Sequence, residues 1–188
     1  MLSPVERKIA LEIARGAIAS HLDGNPLPPK ESLGIPISST SFDEPFATFV
    51  TLKKKHQLRG CIGNIIARHP LWKSLQENAL SAAFADPRFP TLSKEEFGEV
   101  SIEVSILTRP IKIASFREFE VGKHGIILEY GRSGAVFLPQ VAVEQGWSRE
   151  ETLSHLSLKA GLSGNAWASE DARFEVFEAE VFGEGKVP

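Results

Sequence analysis

The sequence predicts an α+β fold in which a largely antiparallel sheet is flanked by helices. Two observations favour this class: helices with clear capping signals, and alternating apolar runs that are joined in pairs by short polar turns. Helices that are interspersed with hairpins, without regular βαβ units, are typical of an antiparallel sheet. The 188 residues are enough for one domain, or one domain with two lobes, and for a proper core.

The helices are predicted mainly from their first residues. Ser3-Pro4-Val5-Glu6 combines a capping box with a proline at the first helical position, and Ser148-Arg149-Glu150-Glu151 is a second capping box. Gly24 and Gly161 mark the ends of these two helices. In chain order, the predicted helices are residues 4–22, residues 70–85, one or two turns from Ser93, and residues 152–160.

The strands are predicted from alternation of apolar and polar residues. The alternation in the last run slips near Glu178, which indicates a bulge. A turn over residues 53–57 joins the first two runs as a hairpin with a longer loop, and residues 131–134 lie in a second hairpin. In chain order, the predicted strands are residues 46–52, 58–62, 101–107, 125–130, 135–138 and 174–182. Residues 25–45, rich in proline and serine, are predicted to form an irregular crossing.

Composition disfavours several classes of function. The net charge of −3 and sequence pI of about 6.0 lack the basic surplus of a nucleic-acid-binding protein. The one basic cluster, Lys53-Lys54-Lys55-His56, is interpreted as a solvated turn. No apolar run is long enough to span a membrane, and the first residues do not resemble a signal peptide. A single cysteine excludes an internal disulfide and fits a reducing compartment, so we expect a cytoplasmic protein.

The only cysteine lies in Leu58-Arg59-Gly60-Cys61-Ile62-Gly63. If Leu58 and Ile62 fill the core, alternation places Cys61 on one face with Arg59, whose positive charge would raise the thiolate fraction. Gly60 and Gly63 would let a ligand or another backbone approach the sulfur. The structural alternative is a small buried cysteine, an arginine paired with a carboxylate, and glycines that mark a bulge.

Three other segments supply candidate residues. Glu103 lies on the polar side of its strand and would either accept a proton or, more commonly, hold Arg59 in place. His124 lies between glycines and either lines a cleft or is an ordinary turn histidine. Asp86 and Arg88 either satisfy backbone groups in a stiff loop or form a wall of a site near Cys61.

Motifs for bound cofactors and metals are missing from the sequence. No histidine pair or Cys/His cluster has the spacing of a zinc site. Gly60-Cys61-Ile62-Gly63 lacks the lysine of a phosphate-binding loop, and no Gly-x-Ser-x-Gly elbow is present. We therefore expect neither a metal nor a cofactor.

Several short motifs occur in an order that resembles the AMMECR family and covers nearly the whole chain. These motifs are Leu58-Arg59-Gly60-Cys61-Ile62-Gly63, Ala85-Asp86-Pro87-Arg88-Phe89-Pro90, Glu103-Val104-Ser105-Ile106-Leu107-Thr108, Lys123-His124-Gly125-Ile126, Leu138-Pro139-Gln140-Val141, Glu144-Gln145-Gly146-Trp147, Lys159-Ala160-Gly161-Leu162 and Trp167. One departure is visible: many relatives carry a second cysteine where this chain has Ser157, so Cys61 would act alone or with a group from a partner.

The resemblance implies a two-lobed α+β fold, a single domain over residues 1–188, with both chain ends in the larger lobe and a cleft between the lobes. It also implies that residues 58–63 lie where a ligand or partner meets them. Microbial members of the family often accompany a Memo-like protein, a relative of metal-dependent extradiol dioxygenases, and a radical SAM enzyme, in what is called the AmmeMemoRadiSam system. These two proteins are therefore the expected partners.

Two functional hypotheses remain open at this point. In the first, the cleft acts on an unknown small molecule, with Cys61 as nucleophile or covalent carrier, Arg59 promoting the thiolate, and Glu103 or His124 moving protons. In the second, the same cleft belongs to a binding module without catalytic activity. The candidate binding residues are Gly60, Gly63, Asp86 and Arg88.

Overall fold

The computed structural model describes residues 2–185 and confirms the α+β class, with antiparallel strand pairs and flanking helices. The chain divides into two compact units: residues up to 107 together with those from 180 onward, and residues 108–179. The strands form two four-stranded sheets. The cleft implied by the family resemblance stays a prediction.

Among the described residues, 2–185, the first unit contains three α-helices and four strands. Helix α1 begins with the predicted capping box, in which the Ser3 hydroxyl accepts the Glu6 N–H at 3.3 Å and the Glu6 carboxylate accepts the Ser3 N–H at 2.9 Å. The elements are α1 (Pro4–Leu22), β1 (Ala47–Lys54), β2 (Gln57–Gly63), α2 (Leu71–Phe84), α3 (Lys94–Phe97), β3 (Val100–Leu107) and, across the unit boundary, β8 (Ala179–Gly183). The predicted helices agree with α1, α2 and α3 to within one or two residues.

The first sheet has the strand order β2-β1-β3-β8, which makes β2 and β8 its edge strands. Strand β1 pairs antiparallel with both β2 and β3. One face of the sheet packs against the apolar sides of α1 and α2. The core between them contains, among others, Ile13, Ile18, Val50, Leu52, Leu75, Ala79, Ile102 and Val104.

The hairpin between β1 and β2 is tighter than predicted. Its loop contains only Lys55 and His56, because Lys53 and Lys54 continue β1 and form ion pairs with glutamates. Lys55 and His56 have φ angles of 50° and 65°. This left-handed conformation costs roughly 1–2 kcal/mol for each residue other than glycine. The expected length of the loop, residues 53–57, is therefore wrong, whereas Lys55 and His56 are exposed, as expected of a solvated turn.

The second unit contains the other sheet, with the strand order β4-β7-β5-β6. Its core contains, among others, Phe119, Ile126, Leu128, Leu153, Leu156 and Val176. The elements are β4 (Ile111–Ile113), β5 (Gly125–Tyr130), β6 (Ser133–Phe137), α4 (Pro139–Gln145), α5 (Arg149–Lys159) and β7 (Arg173–Phe177). The capping box of Ser148 and Glu151 opens α5 as predicted, whereas the short helix α4 was not predicted.

The predicted final strand over residues 174–182 is in fact two strands that belong to different sheets. Strand β7 ends at Phe177 in the second sheet, and β8 starts at Ala179 in the first. Between them, Glu178 donates its N–H to Thr108 Oγ1 and accepts the Thr108 N–H, both at 2.9 Å. The slip in alternation at Glu178 thus marks a change of sheet and not a bulge.

Within residues 2–185, no helix combines the length and the apolarity that crossing a bilayer would require.

Candidate functional site

Cys61 lies on the edge strand β2, in a row of three side chains that crosses the first sheet. Thr51 of β1 is opposite Cys61 on one side and opposite Glu103 of β3 on the other, so the three residues share one face. The Thr51 hydroxyl donates a hydrogen bond to Cys61 Sγ at 3.2 Å. Cys61 is half-buried. We call this the Cys61 face; it is the face opposite the helices α1 and α2.

The loop after α2 holds the backbone of Cys61 at the edge of the sheet. Asp86 Oδ2 accepts the Cys61 N–H at 2.9 Å, and Arg88 Nη2 donates to the Cys61 carbonyl at 3.0 Å. Two side chains therefore satisfy the backbone groups that a neighbouring strand would otherwise pair with. These contacts combine the two interpretations of the loop, because Asp86 and Arg88 satisfy backbone groups and do so beside Cys61.

Asp86 and Arg88 also form an ion pair with each other. Arg88 Nη2 and Nε lie 2.7 and 2.9 Å from the two oxygens of Asp86. The Asp86 side chain is 2 % exposed and the Arg88 side chain 54 % exposed. Hydrogen bonds from Arg88, together with those from two backbone N–H groups, hold the pKa of Asp86 well below its usual range. Asp86 is therefore a buried side chain that is negatively charged at neutral pH and holds this part of β2 in place.

The thiol of Cys61 is kept in its neutral form. Burial raises the pKa of Cys61, and the hydrogen bond from Thr51 and the positive charge of Arg88 offset this only in part. The cation that acts on the sulfur is thus Arg88, whereas the sequence predicted Arg59. The prediction that a guanidinium makes this thiol acidic is wrong, because desolvation outweighs the favourable charge.

Arg59 is turned away from β1 by a bulge. Leu52 pairs with Gly60 and Lys53 pairs with Leu58, so Arg59 has no partner in the strand register. The bulge breaks the alternation on which the sequence argument depended. Leu58 is consequently 45 % exposed instead of buried, while Ile62 packs against the core as predicted.

The guanidinium of Arg59 binds Glu96 of α3 with two parallel hydrogen bonds. Nε and Nη2 each lie 2.8 Å from a Glu96 oxygen, and Nη2 also donates to the Pro90 carbonyl at 2.9 Å. This pairing raises the pKa of Arg59 and lowers the pKa of Glu96. The expectation that Glu103 holds Arg59 is wrong, since Glu103 instead pairs with Lys53 Nζ at 2.9 Å.

Atoms of the protein itself occupy the space next to the two glycines that flank Cys61. A Cβ atom on Gly60 would lie 2.2 Å from the Ala82 carbonyl oxygen of α2, and one on Gly63 would lie 2.3 Å from the Thr48 carbonyl oxygen. Gly60 therefore permits close contact between helix and sheet. The sequence predicted that either a ligand or another backbone segment would approach these glycines. In the structure, the backbone carbonyls of Ala82 and Thr48 lie beside them.

His124 lies in the second unit, where it closes a turn. Its Nδ1 accepts the Glu120 N–H at 3.2 Å, and its own N–H donates to the Glu120 carbonyl at 3.0 Å. These contacts fit the interpretation of His124 as a turn histidine. Ser157, at the position where the family resemblance implies a second cysteine, is fully buried and accepts the Trp167 N–H at 3.2 Å.

Two residues of the site, Thr51 and Glu96, were missed by sequence reasoning. Thr51 had a usable signal, since folding the hairpin places β1 beside Cys61, but the loop length had to be known to find the register. The sequence contains no signal that Glu96 belongs to the site, beyond its place in the capping motif that begins at Ser93. In the described part of the chain, no three His, Cys, Asp or Glu side chains are grouped so that they could hold a metal ion.

Comparison with known proteins gives consistent matches over most of the chain. The family model described as AMMECR1 matches residues 11–182. Protein Mbar_A1807 of Methanosarcina barkeri is 40 % identical over 98 % of this chain and 93 % of its own length. Protein MJ0810 of Methanocaldococcus jannaschii is also 40 % identical, over 98 % of this chain and 92 % of its own.

A solved structure has the same fold. The crystal structure of uncharacterized protein PH0010 from Pyrococcus horikoshii superposes with a TM-score of 0.84 at 36 % sequence identity. The match covers 94 % of this chain and 90 % of that one.

Proposed function

This chain belongs to the AMMECR1 family, and from that premise we propose that it is a binding component, without catalytic activity of its own, of a cytoplasmic enzyme system. The observation that carries this proposal is that the charged groups around Cys61 are already paired with one another, while burial raises the pKa of its thiol. A nucleophilic cysteine needs a thiolate or an adjacent base that can take its proton. Glu103 is the acid that faces the same side as the sulfur, and it is bound to Lys53.

We propose that the partner binds at the β2 edge surface, defined here as Leu58, Cys61 and Arg88. Leu58 is an exposed large apolar residue on the edge strand β2, and Arg88, in the loop after α2, is an exposed cation that donates a hydrogen bond to the Cys61 carbonyl of the same strand. An apolar contact bordered by an arginine is a common arrangement at protein interfaces. The proposed partners are the Memo-like protein and the radical SAM enzyme that the family resemblance implies.

A capture experiment tests this proposal. The Memo-like and radical SAM proteins encoded in the same genome are purified and passed over the immobilised full chain under reducing conditions. Leu58→Lys should weaken capture by roughly tenfold or more. Val181→Lys is the matched control, because Val181 is 42 % exposed on the other edge strand, β8, and should leave capture unchanged.

Cys61→Ser should also leave capture largely intact, since the sulfur is not required to react. Failure of the unmodified chain to capture either protein would refute the proposed partners. Equal loss of capture in the Leu58 and Val181 variants would refute the proposed surface.

Activity that depends on Cys61, acting on a small molecule, is the second candidate. The positive charge of Arg88 favours it, because that charge lowers the pKa of the thiol. The rate of alkylation of Cys61 against pH separates the two functions. A midpoint above that of an ordinary thiol, about 8.5, supports the binding role, and a midpoint clearly below it supports the catalytic one.

A further inference from the structure

A polar pocket of about 500 Å³ lies in the first unit, at the end of the sheet where β1 turns into β2. The hairpin forms one wall, with Lys53, Lys55 and His56. The remaining lining residues come from the start of β3, including Ser101, from the segment before it and from the end of β8. A pocket of this volume is large enough for a small organic ligand.

The carboxylates in the pocket are already neutralised. Glu99 pairs with Lys54 at 3.2 Å, Glu103 pairs with Lys53 at 2.9 Å, and Glu184 pairs with Arg15. Each of these carboxylates therefore already has a cationic partner, which weakens the attraction of the pocket for a metal ion or an amine.

The two side chains of the hairpin loop are not paired in the same way. Within residues 2–185, neither Lys55 nor His56 has a hydrogen bond or an ion pair with another group. Both are exposed and line the pocket. They supply N–H donors on one side of the cavity, and Ser101 adds a hydroxyl whose contact with the Lys53 carbonyl is long, at 3.4 Å. The side chains of Lys55 and His56, which lack partners, thus offer hydrogen-bond donors to a ligand in the pocket.

The two-residue turn requires a positive φ at both of its positions, a conformation that costs lysine and histidine more than it costs glycine or asparagine. Every other described residue with a positive φ is a glycine. The second two-residue hairpin loop, between β5 and β6, places Gly131 at its left-handed position, with φ 58°. The first hairpin instead holds Lys55 and His56 in that conformation. Strain of this kind often persists where side chains must be held for a function.

We propose that this pocket binds the oxyanion group, phosphate or carboxylate, of a small molecule through Lys55 and His56. The lysine ammonium and the imidazole N–H are suitable donors for an oxyanion, and a charge-assisted hydrogen bond is stronger than a neutral one. The left-handed turn directs two adjacent side chains to the same cavity. This inference does not depend on the proposed function at the β2 edge surface.

Titration of the ¹⁵N-labelled full chain tests the proposal. The probes are inorganic phosphate and succinate in separate experiments, with sodium chloride at matched ionic strength as the reference. Phosphate, succinate or both should shift the amide signals of residues 55, 56 and 101 in a saturable way, and chloride should not. The probe that binds more tightly identifies the class of oxyanion. Shifts that chloride reproduces, or no saturable shift with either oxyanion, would overturn the proposal.

The double variant Lys55→Asn, His56→Gly separates binding from folding. Asn-Gly suits a left-handed two-residue hairpin, so the variant should unfold at a higher temperature than the parent. Its affinity for the oxyanion should nevertheless fall by roughly tenfold or more, because two charge-assisted donors are lost. Arg132→Asn, in the loop of the other hairpin, is the matched control and should bind as the parent does. Unchanged affinity in the double variant would overturn the assignment of Lys55 and His56.

Discussion

The carboxylate of Asp86 accepts the backbone N–H of Cys61 at 2.9 Å, although the two residues are 25 positions apart in the chain. This bond joins the loop after α2 to the edge of the first sheet. Arg88 completes the contact by donating to the Cys61 carbonyl. The backbone position of Cys61 is therefore set by an ion pair between a buried aspartate and an exposed arginine, and both contacts are to backbone atoms.

Asp86→Asn should destabilise the protein at neutral pH by roughly 2–4 kcal/mol, because it removes a buried charge that binds Arg88 and two backbone groups. The pKa of Asp86 is lower in the folded protein than its ordinary value near ~3.9. Its stabilising effect is therefore complete above about pH 4 and is lost as the pH falls further. Urea unfolding of both proteins at pH 7 and at pH 3 measures the difference, which should shrink at the lower pH.

Asp43→Asn is the control for that experiment, since Asp43 pairs with Lys30 but its side chain is 54 % exposed. It should cost less than about 1 kcal/mol. If the difference in unfolding free energy between Asp86→Asn and the parent stayed constant down to pH 3, the lowered pKa assigned to Asp86 would be contradicted.

Arg88→Gln should raise the pKa of the Cys61 thiol further, because the charge that it removes favours the thiolate. Alkylation of Cys61 by iodoacetamide should then be slower at any given pH, with a midpoint at higher pH. Arg59→Lys is the comparison, and its midpoint should not move, since Arg59 is bound to Glu96 and keeps its positive charge as lysine. An equal shift in both variants would show that the pairing of cation and thiol has been misassigned.

Gly60→Ala should lower the free energy of unfolding by roughly 2–4 kcal/mol, because its Cβ would lie 2.2 Å from the Ala82 carbonyl and force α2 away from the sheet. Gly16→Ala is the matched control. A Cβ on Gly16, within α1, meets nothing within 4 Å. That variant should be more stable than the parent by up to about 1 kcal/mol. Chemical denaturation measures both, and similar effects of the two substitutions would rule out the close contact at Gly60.

Arg59→Lys should cost roughly 1–2 kcal/mol, because lysine cannot form the two parallel hydrogen bonds with Glu96. The loss is limited because Arg59 Nη1 is buried without a hydrogen-bond partner among the described residues, and lysine removes that atom. Arg7→Lys is the control, since Arg7 binds Glu180 through Nε from a more exposed position. Thermal unfolding should place the Arg59 variant clearly below the Arg7 variant, and the reverse order would contradict the role of the Arg59–Glu96 pair.

The fold was predictable where the signal was local. The boxes at Ser3 and Ser148 and the alternation along β3 depend on neighbouring residues, and each predicted its element correctly. Glu178 shows the limit of such signals, because the same slip in alternation describes a bulge and a change of sheet. Only long-range pairing distinguishes the two.

The candidate site was predictable in position but not in its contacts. The bulge at Arg59 depends on the register between β1 and β2, which the sequence of β2 alone does not contain. Because of this bulge, Leu58 is exposed and Arg59 is buried, the reverse of what alternation predicts. Arg59 also gains an ion-pair partner 37 positions away, Glu96. The pKa of the Cys61 thiol likewise depends on how burial and nearby charges balance, and packing sets both.

The bonds between Thr108 and Glu178 have a consequence for how the chain can be engineered. They place the first and last segments of the second unit side by side, while β3 and β8, which precede and follow that unit, are neighbours in the first sheet. A unit whose ends meet can be excised as a cassette and transplanted into a loop of another protein. A short linker from Leu107 to Glu180 should close the remaining scaffold. If the two fragments are soluble when expressed separately, each can fold without the other.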